Sequence, residues 1–292
     1  MRPAVTPRVA LATCRELPDL HEDDALLVPA LASAGVAAVP AVWDDPAVDW
    51  AAFDLVVVRD TWDYVPRREQ FLDWARSVPR LENPAAVLAW NTDKRYLRDL
   101  AAAGVPVVPT TWVEPGDGYA PPDGEHVVKP AVSAGARDTA RYAPGEDSSA
   151  HVRDLLGAGR TVMVQPYLAA VDTDGETAVL SLGGVHSHAA RKGPVLVPEL
   201  DDPDDVAITP RTASAAQRAV ADAALAAVPF AGPLLYSRAD VVPGPDGGPL
   251  LIELELTEPS LFLGTAPVAA ERLAAAIAAR VAGPVAVRPA PR

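Results

Sequence analysis

Two acidic residues interrupt an apolar segment near the C-terminus, PLLIELEL. Glu253 and Glu255 are two positions apart, so on a β-strand their side chains share one face. A buried carboxylate is costly unless it is paired with a cation or binds a metal ion. The segment therefore predicts a charged site on a strand that also borders the hydrophobic core.

The turn sequence PGPDGG joins this segment to LLYSRADVV and predicts a β-hairpin. With the turn centred on residues 246–247, Asp240 lies opposite Glu253 and Arg238 lies opposite Glu255. Three carboxylates clustered on one face repel one another unless a cation joins them. Oxygen ligands with few nitrogen ligands nearby favour Mg²⁺ shared with a phosphate over zinc. A solvated sheet face with alternating charges is the alternative interpretation.

The alternation along the same strand also predicts which residues enter the core. Leu251 is expected on the face of the two glutamates, because side chains two positions apart point the same way. The opposite, packed face is expected to carry Ile252, Leu254 and Leu256.

Two lysines occupy positions that suit an anion. Lys129 ends the apolar strand HVVKP and precedes a loop of small residues, AVSAGARDT, whose backbone N–H groups could close over phosphate oxygens. Lys94 is predicted in the first turn of a helix capped by Asn91, where a cation is unfavourable against the helix dipole unless an anion lies nearby. The loop is not a P-loop, because GxxxxGK[ST] does not occur. Ordinary solvent-exposed lysines are the alternative.

Two other predicted strands end in polar or aromatic residues. VMVQPYL ends at residues 165–167, where apolar side chains and exposed backbone groups suit an adenine ring. The buried strand FDLVVV leads into a cluster that predicts a substrate site, because open α/β sheets bind ligands at the carboxyl ends of their strands. This cluster comprises Arg59, Asp60, Thr61, Trp62 and Asp63. A polar loop anchored by its tryptophan is the alternative.

The pattern of elements divides the chain into three lobes. Strands and helices alternate over residues 1–103, and the continuous apolar run LVVV is typical of a parallel strand buried on both faces. Short strands follow over residues 104–168, and hairpins with amphipathic helices occupy residues 169–292. We therefore expect an α/β protein with an N-terminal parallel-sheet lobe followed by two α+β lobes.

Composition limits the function classes. The 292 residues carry a net charge of −14, which argues against binding to a nucleic-acid backbone. Cys14 is the single cysteine, as expected of a cytoplasmic protein without disulfides. Apolar stretches are too short for a signal peptide or a membrane span. We expect a cytoplasmic protein with neither a nucleic-acid nor a membrane partner.

The order of these segments resembles the ATP-grasp superfamily over residues 90–265. The segments that match are DK…L…AGVPVVPT, VVKP, VQPYL, GET, SRADVV and IELEL, in the style of glutathione synthetase and ribosomal-protein-S6 ligase. RDTWDY and IELELTEPSLF are also similar to the cycloserine synthetases, which cyclise O-ureidoserine. The resemblance implies an ATP-grasp fold, in which two lobes grip ATP beside the N-terminal lobe.

The resemblance implies a nucleotide site. The ATP phosphates would be held by Lys94 and Lys129. The loop that covers the phosphates would include Ser133, Ala134 and Gly135. The adenine and the ribose would meet the Gln165 side chain, the backbone of Tyr167 and Leu168, and the Glu176 carboxylate. This loop is poorer in glycine than is usual for the family.

It also implies a metal and catalytic site. One or two Mg²⁺ ions, with Mn²⁺ able to substitute, would be bound by Asp240, Glu253 and Glu255. The reacting groups would be stabilised by Arg238 and, at the γ-phosphate, by Arg191. Glu255 departs from the family pattern, in which the final metal ligand is an asparagine. Substrate contacts are expected from the 59–63 cluster together with Glu258 and Ser260.

The implied activity is ATP-dependent ligation of a carboxylate to an amine, with ATP and Mg²⁺ as cofactors. The carboxylate of an amino acid or derivative would become an acyl phosphate, and an amine would attack it to form an amide or peptide bond, with ADP and phosphate released. An intramolecular cyclo-ligase of the O-ureidoserine-to-cycloserine type is one alternative. A non-catalytic nucleotide-binding regulatory protein is another, and a glycosidase with paired carboxylates is a third. A homodimer is an expectation of the family.

Overall fold

The computed structural model describes residues 6–196 and 206–283. Its N-terminal part is a parallel four-stranded sheet in the order β2-β1-β3-β4. The strands are β1 (Arg8–Thr13), β2 (Ala37–Val42), β3 (Leu55–Val58) and β4 (Leu81–Glu82). The helices of this region are α1 (Glu22–Ala25), α2 (Leu27–Ser33), α3 (Arg68–Ser77), α4 (Ala85–Asn91) and α5 (Tyr96–Ala102). All four residues of β3 are buried, as its apolar run predicts.

Two helix boundaries differ from those predicted. The segment before Gly35 forms two short helices, α1 and α2, instead of one. Asn91 does not cap the following helix but ends α4. Its side-chain amide is used elsewhere, because it bonds the backbone beside the two glutamates. Nδ2 donates to Leu254 O at 2.7 Å, and Oδ1 accepts from Leu256 N at 2.7 Å. Lys94 consequently lies in the turn between α4 and α5, ahead of the first helical residue of α5.

A second, four-stranded antiparallel sheet follows in the order β5-β8-β6-β7. Its elements are β5 (Thr111–Val113), β6 (His126–Pro130), β7 (Ala140–Tyr142), α6 (Ser149–Gly157) and β8 (Val162–Pro166). Val128 and Val164 pack against Val152 and Leu155 of α6, which gives this sheet its own small core.

The third sheet has five antiparallel strands in the order β11-β10-β9-β12-β13. Its elements are α7 (Ala170–Asp174), β9 (Glu176–Leu182), β10 (Val185–Lys192), β11 (Ile208–Arg211), α8 (Ala215–Ala226), β12 (Tyr236–Pro243), β13 (Pro249–Glu255) and α9 (Ala269–Ala282). Gly175, between α7 and β9, has φ +67°, and a Cβ there would lie 2.3 Å from Lys192 O, so only glycine fits against β10.

The β12–β13 hairpin has the predicted register around its charged residues. Arg238 pairs with Glu255 and Asp240 pairs with Glu253. Between Asp240 and Val241 the register shifts by one residue, so that Val241 pairs with Leu251. This β-bulge inserts one extra residue into β13 and breaks the alternation of its side chains.

The bulge corrects the predicted faces of β13. Leu251 packs in the core with Leu254 and Leu256, instead of sharing the face of the glutamates. Ile252 lies on the other side, where it lines a cleft with Glu253 and Glu255. The predicted assignment was wrong for Leu251 and Ile252 because strict alternation does not hold across an inserted residue.

Among residues 6–196 and 206–283, no helix is long and apolar enough to cross a membrane.

Candidate active site

A cleft of about 650 Å³ lies between the second and third sheets, and N-terminal residues close one end of it. It brings together most of the residues singled out in the sequence. Those that line it are Trp62, Lys94, Lys129, Ser133, Ala134, Gly135, Gln165, Tyr167, Leu168, Glu176, Arg238, Glu253, Glu255, Glu258 and Ser260. Asp240 lies directly behind Arg238 and is fully buried.

Arg238 and Asp240 form the buried centre of the charged face. Arg238 Nε donates to Asp240 Oδ1 at 2.9 Å and Nη2 donates to Oδ2 at 3.0 Å. Lys192 Nζ lies 3.2 Å from the same Oδ2. Burial alone would raise the pKa of Asp240, but Arg238 and Lys192 lower it to about 2. Asp240 therefore remains charged and holds the guanidinium in place.

The two glutamates of β13 are paired with different cations. Glu253 Oε1 lies 3.0 Å from Lys94 Nζ, and burial is outweighed by Lys94, Lys129 and Lys192, which lower the pKa of Glu253. Glu255 contacts Arg238, yet burial and the charges of Glu253 and Asp240 raise the pKa of Glu255 to about 7. The face at Glu255 thus carries more negative charge than its basic partners neutralise.

The three acids do not form a ready-made cage for a metal. Within the described parts of the chain, no group of three His, Cys, Asp or Glu side chains converges closely enough to hold an ion. The donors are nevertheless all carboxylate oxygens, the type that Mg²⁺ prefers. Because Mg²⁺ in proteins is commonly held by one or two carboxylates plus substrate phosphates, this donor set fits Mg²⁺ without a complete protein cage.

Three lysines surround the middle of the cleft. Lys94 Nζ donates to Ser133 O at 2.6 Å, which ties the loop of residues 131–139 to the β13 acids. Lys129 makes neither a side-chain hydrogen bond nor an ion pair with any described residue. Burial lowers the pKa of Lys129, with Glu253 opposing and Lys94 adding to the effect. A half-buried ammonium that faces a cleft without an acceptor is suited to bind an anion.

Lys192 is the third lysine, and the sequence reasoning missed it. Its Nζ lies 2.6 Å from Glu176 Oε2. The two residues are directly paired across the β9–β10 hairpin. Counting outward from the glycine pair 183–184 would place Arg191 opposite Glu176. A bulge between His186 and His188 shifts the register by one residue, so the sequence could not have placed Lys192 there.

The loop of residues 131–139 bends over the lysines. Ser133 Oγ donates to Arg137 O at 2.9 Å, and Gly135 has φ +61°. Arg160 Nη2 donates to Val132 O at 3.1 Å and anchors the loop to the second sheet. These contacts hold the small-residue loop at the mouth of the cleft.

At the far end of the second sheet, Gln165, Tyr167 and Leu168 line the cleft. The Tyr167 N–H donates to Glu125 O at 2.9 Å, so a ligand can use only the carbonyl of this residue. The Arg141 guanidinium stacks 3.5 Å from the centre of the Tyr167 ring. This stacking and the backbone bond fix the strand end that closes this part of the cleft.

Glu258 occupies the opposite end, beside the N-terminal lobe. Trp62 Nε1 donates to Glu258 O at 3.0 Å. Burial and the Glu255 charge raise the pKa of Glu258 to about 8, although the Tyr64 hydroxyl lowers it. Among the described residues, the Glu258 carboxylate has no basic partner within ion-pair distance. Other residues at this end were not predicted from the sequence, namely His21, Glu22, Asp23 and Phe262.

Part of the predicted substrate cluster does not reach the cleft. Arg59, Asp60 and Thr61 are fully buried. Arg59 Nε donates to Asp24 Oδ1 at 2.8 Å, and its Nη2 donates to Pro259 O at 2.6 Å. These residues therefore support the segment that carries Glu258 instead of lining the cleft.

Two further expectations are corrected. Asp63 accepts a hydrogen bond from Trp43 Nε1 at 2.8 Å and pairs with Arg67, and it does not line the cleft. Arg191 donates to Asp174 O at 2.9 Å and Thr173 O at 3.0 Å, likewise away from the cleft lining. Arg191 and Lys192 are neighbours on β10, so their side chains leave the strand in opposite directions.

Comparisons with known proteins agree with this architecture. A family profile described as "D-cycloserine synthetase DcsG, N-terminal domain" matches residues 9–85. The cycloserine biosynthesis protein DcsG of Streptomyces lavendulae is 41% identical over 298 residues, covering 95% of this chain and 97% of that protein.

Solved structures extend the comparison. The crystal structure of D-cycloserine synthetase DcsG has a TM-score of 0.87 at 39% identity and covers 94% of this chain and 99% of its own. A RimK domain ATP-grasp protein from Sphaerobacter thermophilus has a TM-score of 0.66 at 22% identity, covering 94% of this chain and 100% of its own.

Proposed function

The chain belongs to the family of the D-cycloserine synthetase DcsG, and from that premise we propose that it is a cyclo-ligase that converts O-ureidoserine into cycloserine. It is an ATP-dependent ligase with the ATP-grasp fold, so the fold and the enzyme class expected from the sequence are confirmed. Of the activities that the resemblance left open, intramolecular cyclisation is the one that its relative's name supports.

The observation that carries the proposal is the sequence of charges along one cleft. Lys129, whose ammonium has no partner among the described residues, lies in the middle, and Lys94 and Lys192 flank it. Toward the N-terminal lobe follow the Arg238 guanidinium and then the Glu258 carboxylate, which has no basic partner among the described residues. A nucleoside triphosphate and an amino acid have complementary charges in the same order, with phosphates, then a carboxylate, then an ammonium.

We assign the nucleotide to the end of the cleft with the lysines. Lys94 and Lys129 bind the phosphates, and the loop with Ser133, Ala134 and Gly135 covers them. The base lies against Gln165, Leu168 and the Tyr167 carbonyl, and the ribose lies near Glu176. Lys192 is added to the phosphate ligands because its Nζ stands between Glu176 and Asp240.

Glu253 and Glu255, which line the cleft, would hold Mg²⁺ together with the phosphates. Asp240 stays a predicted ligand, although both of its oxygens bond Arg238 or Lys192 in this structure. Bound there, Mg²⁺ supplies positive charge to the transferring phosphoryl group. The raised pKa of Glu255 supports this assignment, because an added cation would favour its ionised form. The number of Mg²⁺ ions, one or two, and the ability of Mn²⁺ to replace them remain predictions, which metal titration tests.

The protein's own residues orient the chemistry. The substrate carboxylate takes the γ-phosphoryl group of ATP, which gives an acyl phosphate and ADP. The ureido nitrogen that is bonded to oxygen then attacks the acyl carbon, loses its proton and releases phosphate as the ring closes. Water hydrolyses the carbamoyl group from this nitrogen as ammonia and carbon dioxide, which leaves cycloserine. Arg238, fixed by Asp240, stabilises the oxyanion of this second step.

Glu258 would bind the substrate ammonium and so fix which end of the amino acid faces ATP. The support is its burial beside Trp62 and Tyr64 and its lack of a basic partner among the described residues. Ser260 lines the same end of the cleft. A compact pocket that holds both ends of one amino acid favours ring closure over attack by a second substrate.

The remaining expectations stay predictions of this proposal. They are lobe boundaries at residues 103/104 and 168/169, a homodimer, and a cytoplasmic location. The third lobe so defined includes residues 197–205 and 284–292, which lie outside the described parts of the chain. Sedimentation and limited proteolysis test the homodimer and the boundaries.

The experiment that tests the function is Mg²⁺-dependent ADP release measured over a panel of amino acids. The panel contains D- and L-O-ureidoserine and the common D- and L-amino acids, alone and in pairs, and mass spectrometry identifies the products. ADP release with one O-ureidoserine enantiomer alone, together with cycloserine, is the expected result. Release only with pairs of amino acids would replace cyclisation with intermolecular ligation. No release with any substrate would indicate a non-catalytic nucleotide-binding protein.

A further inference from the structure

Thr110 lies beside the part of the cleft assigned to the nucleotide base. It immediately precedes β5, whose first residue, Thr111, pairs with Val164 of β8. Thr110 therefore lies alongside Gln165, the next residue of β8. Gln165 is 3% exposed and lines the cleft.

A chain of two hydrogen bonds fixes the polarity of this contact. Thr110 Oγ1 lies 3.0 Å from Val108 O, and a carbonyl oxygen can only accept, so the hydroxyl must donate its hydrogen there. Gln165 Nε2 lies 2.9 Å from the same Oγ1. Because the hydroxyl hydrogen is already used, Oγ1 can only accept from Gln165.

These two hydrogen bonds fix the orientation of the Gln165 side-chain amide. Its NH₂ group must face Thr110, and its carbonyl oxygen Oε1 is left for the cleft. Oε1 accepts no hydrogen bond from any described residue, and the Leu168 N–H donates none to them. The base end of the cleft therefore offers one fixed acceptor and one free backbone donor.

We propose that Thr110 is a specificity residue, which locks Gln165 as an acceptor and so makes the cleft select a 6-amino purine over a 6-oxo purine. Adenine carries an amino donor at this position, and hypoxanthine carries a carbonyl acceptor there and a proton on N1. An acceptor facing an acceptor leaves both groups unsatisfied, which costs more than losing one hydrogen bond. This inference rests on the proposed nucleotide site, and Thr110 acts through Gln165 as a positioning residue.

ADP and IDP are suitable probes because they differ only at this edge of the base. Their dissociation constants are measured by titration calorimetry in the presence of Mg²⁺. We expect the unmodified protein to bind ADP at least about tenfold more tightly than IDP, as for loss of a buried hydrogen bond. T110V removes the hydroxyl at nearly constant volume, frees the amide to flip, and lowers this ratio at least about fivefold. T110S keeps the hydroxyl and retains the ratio.

A second substitution separates orientation from packing. Q165E replaces the amide with two equivalent acceptor oxygens, so its preference for ADP no longer depends on Thr110. Adding T110V to Q165E should then leave the ratio of the ADP and IDP dissociation constants unchanged. If T110V acted only by disturbing the packing, it would change this ratio in the Q165E background as well. T110A removes the same hydroxyl from this half-buried position and provides a second test of its loss.

The outcomes distinguish this inference from the function on which it rests. An unchanged ADP/IDP ratio in both T110V and T110A, with ADP still bound, would overturn the role of Thr110 and leave the nucleotide site intact. Equal binding of ADP and IDP by the unmodified protein would do the same. Failure of the unmodified protein to bind either nucleotide would overturn the nucleotide site and this inference together.

Discussion

Arg238 and Asp240, two positions apart on β12, make two parallel hydrogen bonds in the floor of the cleft, at 2.9 and 3.0 Å. Charge-assisted bidentate pairs of this kind fix both position and orientation. In this orientation Arg238 Nη2 also contacts the Glu255 carboxylate, and Nη1 donates to Ser260 O at 3.0 Å. One guanidinium thus links the acidic face to the segment that carries the substrate residues.

Replacing Glu253 with glutamine tests the acidic face. The variant keeps the volume of the side chain and removes its charge, so we expect turnover to fall about 100-fold or more while the fold is retained. Steady-state rates and the melting temperature are measured together. Turnover like that of the unmodified protein would remove Glu253 from the metal ligands.

Lys129→Ala tests the phosphate site. Loss of one charged hydrogen-bond donor should raise the KM for ATP about tenfold or more, with a smaller effect on the KM for the amino acid. Arg153→Ala is the matched control, because Arg153 is an exposed cation on α6 of the same region. Equal KM values for ATP in the two variants would place Lys129 outside the nucleotide site.

Glu258→Gln tests the assignment of the substrate ammonium. The KM for O-ureidoserine should rise about tenfold, because a charged pair is replaced by a neutral contact, and the KM for ATP should stay within about twofold. Both constants are determined at saturating concentrations of the other substrate. A rise in the KM for ATP alone would move Glu258 from the substrate to the nucleotide or its metal.

The buried Asp60 carboxyl predicts a dependence of stability on pH. Burial and the nearby Asp24 charge raise the pKa of Asp60 to about 8, against about 3.9 in an unfolded chain. The folded state thus binds the proton more tightly, so this contribution to stability is full below about pH 4 and is lost as the pH rises through 8. The free energy of unfolding is measured by urea at pH 5 and at pH 9. Its decrease from pH 5 to pH 9 should be smaller for Asp60→Asn than for the unmodified protein. Equal losses would mean that Asp60 is already ionised at pH 5.

The turn PGPDGG made the hairpin predictable, but beside the turn the strands pair one residue away from the predicted register, with Pro243 opposite Pro249. The pairing of Asp240 with Glu253 agrees with the prediction because the bulge restores the register there. The β-bulge itself was not predictable, since an inserted residue such as Ile252 changes side-chain direction without a distinctive residue type. Lys192 was not predictable for the same reason, because a bulge between His186 and His188 shifts the register that places it opposite Glu176.

The burial of Arg59 could not be read from the sequence for a different reason. Its partners, Asp24 and Pro259, are 35 and 200 residues away, and only the packing of the N-terminal lobe on the third sheet brings them together. A polar cluster after a strand indicates the edge where a ligand binds, but it does not tell which of its members face the ligand. Trp62 lines the cleft, whereas the three residues before it, 59–61, are fully buried.

The central claim is that the substrate carboxylate is activated by direct transfer of the γ-phosphoryl group. O-Ureidoserine labelled with ¹⁸O in its carboxylate tests this most directly, with the released phosphate analysed by mass spectrometry. Because the carboxylate oxygen that attacks phosphorus stays with the phosphate when the ring closes, we predict one ¹⁸O atom in phosphate for each cycloserine formed. Formation of cycloserine with unlabelled phosphate would contradict the acyl phosphate and, with it, the catalytic roles of Arg238 and the acidic face.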